Sequence, residues 1–306
     1  MKNLSFALVA LISSLLVACN KEEDIIIDDI GDPSDNLSSV LGYSVIDYTP
    51  APGQYINEKV SGFNEIFTLE EACRQVEKRL ISQSYVSLGA WGGYIIVKLN
   101  NPIPNNKEYN FAISGNAFDT SNEPGIVWVM QDSNHNGLPD EEWFELKGSY
   151  YDQPGYERKY WVTYFRPNPG EDTYWKDSDG KEGYIKWLGS YHNQDYYYPN
   201  WIKSDSYTLH GSRLPLKTEK DPETGIWKNL PFDWGYVDND GKDILKLEVN
   251  GKTLVVNKFK ISNAINDKGE EVNLESIDFI KVQTAINGEA NILGENSTEI
   301  CGFFVL

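Results

Sequence analysis

The heptapeptide "KYWVTYF", Lys159–Phe165, carries the pattern that decides the fold class. It consists mainly of aromatic and β-branched residues, which favour the extended conformation. Because successive side chains of a strand point to opposite sides, this run presents two distinct faces. One face carries Tyr160, Val162 and Tyr164, and the other carries Trp161, Thr163 and Phe165. The pattern predicts a strand with one face in the core and the other available as a platform.

About ten runs of this kind recur along the chain, punctuated by Gly, Pro, Asn and Asp. Examples are "YIIVKL", "YNFAISG", "GIVWVMQ", "EWFELKG", "YIKWLG", "ILKLEV" and "IDFIKVQTA". Helical patterns do not separate these runs, which argues against a parallel βαβ sheet. No repeat of fixed period is present, so a propeller or a solenoid is disfavoured. The sequence therefore predicts a mostly β fold, an antiparallel, jelly-roll-like β-sandwich.

One amphipathic helix is predicted near the N-terminus, in "TLEEACRQVEKRLIS", 68–82. Thr68 is the expected N-cap, and Glu71 three residues later completes a capping box. At helical spacing, one apolar stripe is formed by Leu69, Cys73, Val76 and Leu80. This helix is expected to pack on a larger body. Farther along, "KDSDGKEG", 176–183, predicts a hairpin.

The first residues have the pattern of a targeting segment. Met1 and Lys2 precede the apolar run "LSFALVALISSLLVA", which is too short and too close to the start for a stable membrane span. Residues 1–18 are therefore predicted to be a signal peptide. The run ends in "LVAC", which resembles the lipobox of bacterial lipoproteins. That resemblance implies lipidation of Cys19; the alternative is an ordinary secretory signal with a coincidental cysteine.

Residues 19–40 are predicted to be a flexible acidic tether, because they mix charge, Gly, Pro and Ser without steady periodicity. The tether begins with "NKEED", which resembles the acidic signal that carries lipoproteins of the Bacteroidota to the outer face of the outer membrane. We therefore expect a lipid-anchored, surface-exposed protein of the cell outer membrane. The remainder, 41–306, has a suitable length for one β-sandwich ligand-binding domain.

The charge of the chain excludes one class of partner. Its formal net charge is −19, and such a surface repels phosphate backbones. No nucleic acid partner is expected. Apart from Cys19, the cysteines are Cys73 and Cys301. Spacing alone does not decide whether they pair, and we expect two buried thiols.

The stretch "DSNHNGLPDEEW" has the beginning of a calcium loop. Oxygen-bearing side chains stand at loop positions one, three and five, and Gly137 stands at position six, where a sharp turn is needed. The expected ligands are Asp132, Asn134, Asn136, the carbonyl of Leu138, Asp140 and Glu142. Position twelve is Trp143, so Glu141 or Glu142 would have to close the site. The sequence predicts structural Ca²⁺ here; the alternative is an Asx-rich turn without metal.

A second acidic stretch, "DNDGKD", contains Asp238, Asp240 and Asp243 around Gly241. It is shorter than a complete calcium loop, and it is equally well explained as an exposed turn.

Aromatic residues suggest a binding function. They make up 13% of the chain, with 9 Trp and 19 Tyr, and they are concentrated between Tyr150 and Trp201. Loops that present Tyr, Trp, Asn and Gln can stack on sugars or other flat ligands while hydrogen-bonding their polar groups. The candidate ligand-binding residues are Trp175, Trp187, Tyr191, Tyr197, Tyr198 and Trp201. The alternative is that these rings pack in an aromatic-rich core.

Evidence for an enzyme is weaker. A glycan-active hydrolase would need two carboxyl groups across a cleft, and Glu142 and Glu145 are the candidates. The chain has no nucleophile elbow, phosphate-binding loop or dinucleotide fingerprint. No catalytic residue is assigned. An adhesion or structural module is the third possibility, favoured if the aromatic rings are buried and no pocket exists.

Several longer motifs resemble a family of surface lipoproteins from the Bacteroidota that are described only as cell surface proteins. The motifs are "VSLGAWGGYIIVKLNNPIPN", "GNAF" (115–118), "DSNHNGLPDEEWFEL", "GYVDNDGKD" and "IDFIKVQTAINGEANILGENSTEI". Members tend to be encoded near TonB-dependent outer-membrane transporters, often those for cobalamin. The resemblance implies an accessory lipoprotein that binds a nutrient, either a corrinoid such as cobalamin or a glycan, for a TonB-dependent transporter.

Overall fold

A six-stranded antiparallel sheet forms the central layer of the fold. A computed structural model describes residues 41–288 and 294–306. The predicted signal peptide, Cys19 and the tether lie outside the described residues. The strands follow one another across the sheet as β1 (Tyr43–Thr49), β3 (Tyr94–Pro104), β16 (Ser276–Thr284), β5 (Gly125–Met130), β6 (Phe144–Leu146) and β15 (Ala264–Ile265).

A second antiparallel sheet of four strands shares the main hydrophobic core with the central sheet. Its order is β13 (Ile244–Val249), β14 (Lys252–Phe259), β4 (Phe111–Ser114) and β18 (Gly302–Val305). β13 and β14 are joined by Asn250 and Gly251, both with positive φ, as a tight hairpin turn requires. Phe111 and Phe303 from this sheet lie in one buried cluster with Val97 and Ile280 of the central sheet.

A third antiparallel sheet contains the heptapeptide that decided the fold class. Its order is β10 (Ser206–Arg213), β7 (Glu157–Phe165), β8 (Thr173–Asp177) and β9 (Glu182–Ile185). The Gln283 amide of β16 donates to the His210 carbonyl of β10 at 2.9 Å. Gly211 permits this approach, because a Cβ there would lie 1.8 Å from Gln283 Oε1. The sheet thus packs close to the central layer, and its own cluster buries Tyr160, Val162 and Tyr164.

Two short strand pairs complete the sheets. One pairs β2 (Val86–Ser87) with β17 (Glu299–Ile300), and the other pairs β11 (Thr218–Lys220) with β12 (Trp227–Asn229). A short 3-10 turn, Ile261–Asn263, precedes β15.

Helix α1, Leu69–Ile81, begins as the sequence predicts. Thr68 and Glu71 form the capping box, which satisfies backbone N–H groups of the first turn. Cys73, Val76 and Leu80 are buried in the main core. Leu69 is exposed, so its assignment to the buried stripe was wrong. At the first helical turn, the side chain lies beyond the edge of the packed face.

The prediction of a mostly β, antiparallel sandwich with one amphipathic helix near the N-terminus is confirmed. The hairpin predicted at 176–183 is confirmed as β8 and β9. Cys73 and Cys301 are both buried, and no disulfide joins them. No helix among the described residues has the length and apolar character needed to cross a membrane.

Candidate functional site

A cavity of about 600 Å³ lies between two segments, residues 57–67 and 191–200. Its volume falls in the range of small-ligand sites. The polar part of its lining includes Asn57, Glu58, Lys59, Asn64, Gln194 and Asp195. The cavity therefore offers amide donors and acceptors together with both signs of charge.

The walls of the cavity are held together by side-chain amides. Gln194 donates to the carbonyls of Gln54 at 2.7 Å and Ile56 at 2.8 Å. In the other direction, Asn57 Nδ2 donates to the carbonyls of Tyr196 and Tyr198, both at 2.9 Å. Because these bonds join segments far apart in the chain, the cavity is preformed by the fold and does not depend on one flexible loop.

An ionisable pair lies at the cavity wall. His192 Nδ1 is 3.2 Å from Glu58 Oε1, and the edge of the Tyr55 ring meets the His192 ring at a centroid distance of 4.9 Å. Both His192 and Glu58 are half-buried. Their contact fixes the direction of the imidazole, which leaves the pair placed to hydrogen-bond a polar ligand.

Apolar side chains lie at the rim of the cavity. Val60 is 84% exposed, Tyr191 56% and Phe67 51%. All three belong to the cavity lining. A polar wall with an exposed aromatic rim suits a ligand that has both hydroxyl groups and an apolar face.

Of the six aromatic residues proposed from the sequence, Tyr191 lines this cavity. Tyr197, Tyr198 and Trp201 are buried instead. Trp201 stacks on Tyr48 at 5.5 Å and donates from Nε1 to the Tyr48 carbonyl at 3.0 Å. These three rings therefore pack in the core, which was the alternative interpretation of the aromatic residues.

The other two proposed rings, Trp175 and Trp187, are half-buried against the cluster beneath the third sheet. Trp187 Nε1 donates to the Gln194 carbonyl at 2.9 Å. Trp187 therefore supports a residue of the cavity wall and is not itself part of the described lining.

The predicted calcium loop is organised by its own hydrogen bonds. The Asp132 carboxylate accepts from the amides of Asn136 at 3.1 Å and Gly137 at 2.8 Å. Asn134 Oδ1 accepts from the Asn136 amide at 2.9 Å. Asp140 accepts from the Asn136 side chain, also at 2.9 Å. Four of the proposed ligand residues are therefore brought together in one turn.

Of the two carboxylates that could close the site, Glu142 is exposed, whereas Glu141 folds back and accepts from the Asn134 amide at 3.0 Å. The Lys98 ammonium donates to the Gly137 carbonyl at 2.8 Å. Glu141 is therefore the carboxylate that bonds to the loop backbone, and it is one of the two residues predicted to close the site.

Neither Glu142 nor Glu145, the hydrolase candidates, lines this cavity. Glu145 is 1% exposed, and its carboxylate accepts from the hydroxyls of Tyr156 at 2.6 Å and Ser212 at 2.5 Å. Burial raises the pKa of Glu145, while those two hydrogen bonds oppose the shift. A glycosidase carboxyl group must reach the substrate. In this position, Glu145 has a structural role in joining β6 to β10.

Three carboxyl groups from distant parts of the chain form a cluster that the sequence did not predict, although Asp238 belongs to the acidic stretch 238–243. Oxygen atoms of Glu123, Asp238 and Glu299 lie within 4.8 Å of one another. The Ser297 amide donates to Glu123 at 3.1 Å, and the Glu299 amide donates to Asp238 at 2.9 Å. Glu123 precedes β5, Asp238 follows the bridge of Gly125 with Val237, and Glu299 lies in β17.

The cluster holds protons more tightly than exposed carboxylates do. Burial is the main cause that raises the pKa of each of the three groups, and charge repulsion within the cluster adds to the effect for Glu123 and Glu299. Burial, followed by the charges of Glu299 and Glu123, also raises the pKa of Tyr55. The ring of Tyr55 itself contacts the cavity residue His192.

The expectation of an exposed turn at 238–243 was wrong for two of its carboxylates. Asp238 and Asp243 are buried, and Asp243 accepts from the Gly235 amide at 2.7 Å. Asp238 is held inward by backbone donors from distant segments, the amides of Asn116 and Glu299, whereas the donor to Asp243 comes from its own loop. Asp240 is half-buried.

No protein-family model matches the chain, and no curated protein matches it significantly.

Proposed function

We propose that this protein is a surface-anchored lipoprotein that binds a nutrient ligand for a TonB-dependent outer-membrane uptake system. The observation that carries the binding proposal is the cavity between residues 57–67 and 191–200. Anchoring at Cys19 and delivery to a transporter rest on the lipobox-like "LVAC" and on the motif resemblance.

The composition of the cavity favours a glycan as the ligand. Glu58, Asp195 and the Gln194 side-chain oxygen offer acceptors for hydroxyl groups, and Tyr191 offers an exposed ring for the apolar face of a sugar. A corrinoid would also present amides and a flat ring system. It would need a broad aromatic surface, whereas Tyr197, Tyr198 and Trp201 are held in the core.

We further propose that Ca²⁺ stabilises the loop at 132–141. Hydrogen bonds to the nitrogen atoms of Asn136 join the side chains of Asp132, Asn134 and Asp140 to it in this loop, and carboxylate, amide and carbonyl oxygens are the usual calcium donors. The role of the ion would be structural, because the loop joins β5 to β6 of the central sheet.

Calorimetric titration of residues 20–306 with a panel of neutral hexasaccharides, and separately with cyanocobalamin, tests the binding proposal. We expect at least one hexasaccharide to bind, and Tyr191→Ala and Glu58→Gln each to weaken binding about tenfold. Trp234→Ala, which removes an exposed ring outside the cavity lining, is the matched control and should leave affinity unchanged.

Two outcomes would contradict the glycan assignment. Binding of cyanocobalamin with no response to any hexasaccharide would assign the site to corrinoids. Binding of a hexasaccharide that persists unchanged in both cavity variants would place the sugar elsewhere on the protein.

A further inference from the structure

The outer face of the third sheet carries a row of aromatic rings. Tyr160, Val162 and Tyr164 of β7 point into the core. Strand alternation therefore turns Phe165 outward, beside Tyr174 of β8, which pairs with Tyr184 of β9. The ring centroids are 5.2 Å apart for Phe165 and Tyr174, and 5.5 Å apart for Tyr174 and Tyr184.

This row follows the spacing of the strands. Neighbouring strands lie about 4.8 Å apart, so one ring on each of three strands covers about 10 Å of the surface. Tyr184 is 49% exposed, and Phe165 and Tyr174 are half-buried. The row is longer than one pyranose ring and is presented by paired strands, which hold the rings in fixed positions.

Polar side chains border the row. The Tyr174 hydroxyl donates to Glu182 at 2.6 Å, and Glu182 is the cross-strand partner of Lys176. On the other border, Lys186 pairs with Asp172 at 2.8 Å. Two ammonium groups and two carboxylates therefore accompany the rings, and their charges cancel.

The lysines also contact the rings. Lys176 Nζ lies 5.5 Å from the centroid of Phe165, and Lys186 Nζ lies 5.2 Å from that of Tyr184. These are weak, exposed cation–π contacts. The ammonium groups therefore lie within reach of anything that covers the rings, where they can donate hydrogen bonds to hydroxyl oxygens.

We propose that this outer face, defined by Phe165, Tyr174 and Tyr184, is a binding platform for an extended neutral polysaccharide chain. Sugar rings of the chain would stack along the aromatic row, and their hydroxyls would bond to the bordering Glu182, Lys176 and Lys186. The platform is separate from the cavity residues, so it does not depend on what the cavity binds.

The balanced charges select the ligand class. An acidic polymer would be repelled by Glu182, by Asp172 and by the strongly negative chain as a whole. The central part of a protein interface is usually depleted of charged residues, whereas here charged groups lie beside the rings. A neutral chain rich in hydroxyl groups matches both features.

Affinity electrophoresis in gels containing soluble polysaccharides tests this proposal. Residues 20–306 would be run with a panel of neutral polymers, namely a β-glucan, a galactomannan, an arabinoxylan and amylopectin, and with polygalacturonate as the acidic polymer. We expect retardation by at least one neutral polymer. Tyr184→Ala and Tyr174→Ala should each weaken it about tenfold, because one stacking contact is lost.

The controls separate the platform from the cavity and from misfolding. Trp227→Ala removes an exposed ring on the β11–β12 hairpin and should be retarded like the unaltered protein. In a protein that already carries Tyr191→Ala in the cavity, adding Tyr184→Ala should still weaken retardation about tenfold, which assigns that loss to the platform. Tyr174→Phe keeps the ring and should retain most of the binding. The circular dichroism of each variant should match that of the unaltered protein.

Three results would overturn the platform. They are no retardation by any neutral polymer, retardation by polygalacturonate alone, and unchanged retardation in both ring variants. A dimer in sedimentation velocity that Tyr184→Ala dissociates would also overturn it, because the face would then bind a second copy of the chain. None of these outcomes depends on the cavity, which is tested by the hexasaccharide titration.

Discussion

The buried carboxyl cluster makes the stability of this protein depend on pH in an unusual direction. Burial raises the pKa of Glu123 to about 8 and that of Asp238 to about 7, and it raises the pKa of Glu299 as well. In the unfolded chain, these groups ionise near pH 4 to 4.5. The folded state therefore binds protons that the unfolded state has released.

The sign follows from this difference. The stability contributed by the protonated cluster is fully present below about pH 4.5 and is lost as the pH rises through about 7 to 8. A tenfold change in proton affinity is equivalent to about 1.4 kcal/mol, so the shift at Glu123 from 4.5 to about 8 corresponds to about 5 kcal/mol over the full pH range. Total stabilities are only about 5–15 kcal/mol, so the loss should be easy to measure.

Urea unfolding at pH 5.5 and pH 8.5 measures the effect. About 3 kcal/mol of the Glu123 contribution falls in this window, so we expect a loss of at least about 3 kcal/mol between the two pH values in the unaltered protein. Glu299→Gln removes one ionisable member and keeps the shape of the side chain. It should reduce the pH-dependent loss by at least about 1.4 kcal/mol. Glu142→Gln, at an exposed position, is the control.

Equal pH dependence in Glu299→Gln and in the unaltered protein would refute the reasoning. Glu145 and Asp243 also have pKa values raised by burial, so they contribute to the slope of the unaltered protein. The difference between the variant and the unaltered protein isolates the cluster. Stability that rises between pH 5.5 and pH 8.5 would contradict the sign.

Three further predictions concern metal binding, the core and the helix. A calcium chelator should lower the melting temperature of residues 20–306, and Asp132→Ala should abolish that response; identical melts with and without chelator would remove calcium from the account. Trp201→Ala should cost about 3–5 kcal/mol in urea unfolding, because the ring stacks on Tyr48 in the core, and a loss below 1 kcal/mol would show that the ring is dispensable there. Thr68→Ala should cost about 1 kcal/mol by removing the N-cap, with Thr68→Ser as the control that retains it.

The sequence was informative where a local pattern determines the structure. The alternation in "KYWVTYF" correctly separated the buried Tyr160, Val162 and Tyr164 from the outer residues. The capping box of Thr68 and Glu71 correctly predicted that α1 begins at Leu69. Both signals depend on the residues that carry them and require no knowledge of distant contacts.

Strands with mixed composition were missed. β10, "SYTLHGSR", contains His, Gly and Arg and has no clear apolar alternation. It is a strand because β7 pairs with it and because Gly211 allows Gln283 to approach. β1, "YSVIDYT", was missed for a similar reason, since a bulge interrupts its pairing with β3.

The candidate sites depend on contacts between distant parts of the chain. Residues 57–67 carry no motif, and they line a cavity where Asn57 bonds to the 191–200 segment and Gln194 bonds to the residues just before Asn57. Glu123, Asp238 and Glu299 come from three separate regions of the sequence, so no spacing rule would group them. Tyr184 was correctly predicted to lie in a strand, but the ring beside it depends on the register of β8 and β9, which the sequence does not specify.

The most direct test of the central claim is to locate a bound sugar on the protein. Amide chemical shifts of isotopically labelled residues 20–306 would be recorded during titration with the hexasaccharide that binds most tightly. We expect the largest shifts in residues 57–67 and 191–200, including the side-chain amide of Gln194, and their loss in Tyr191→Ala. Saturable shifts that leave both segments unchanged would contradict the assignment of the cavity as the ligand site.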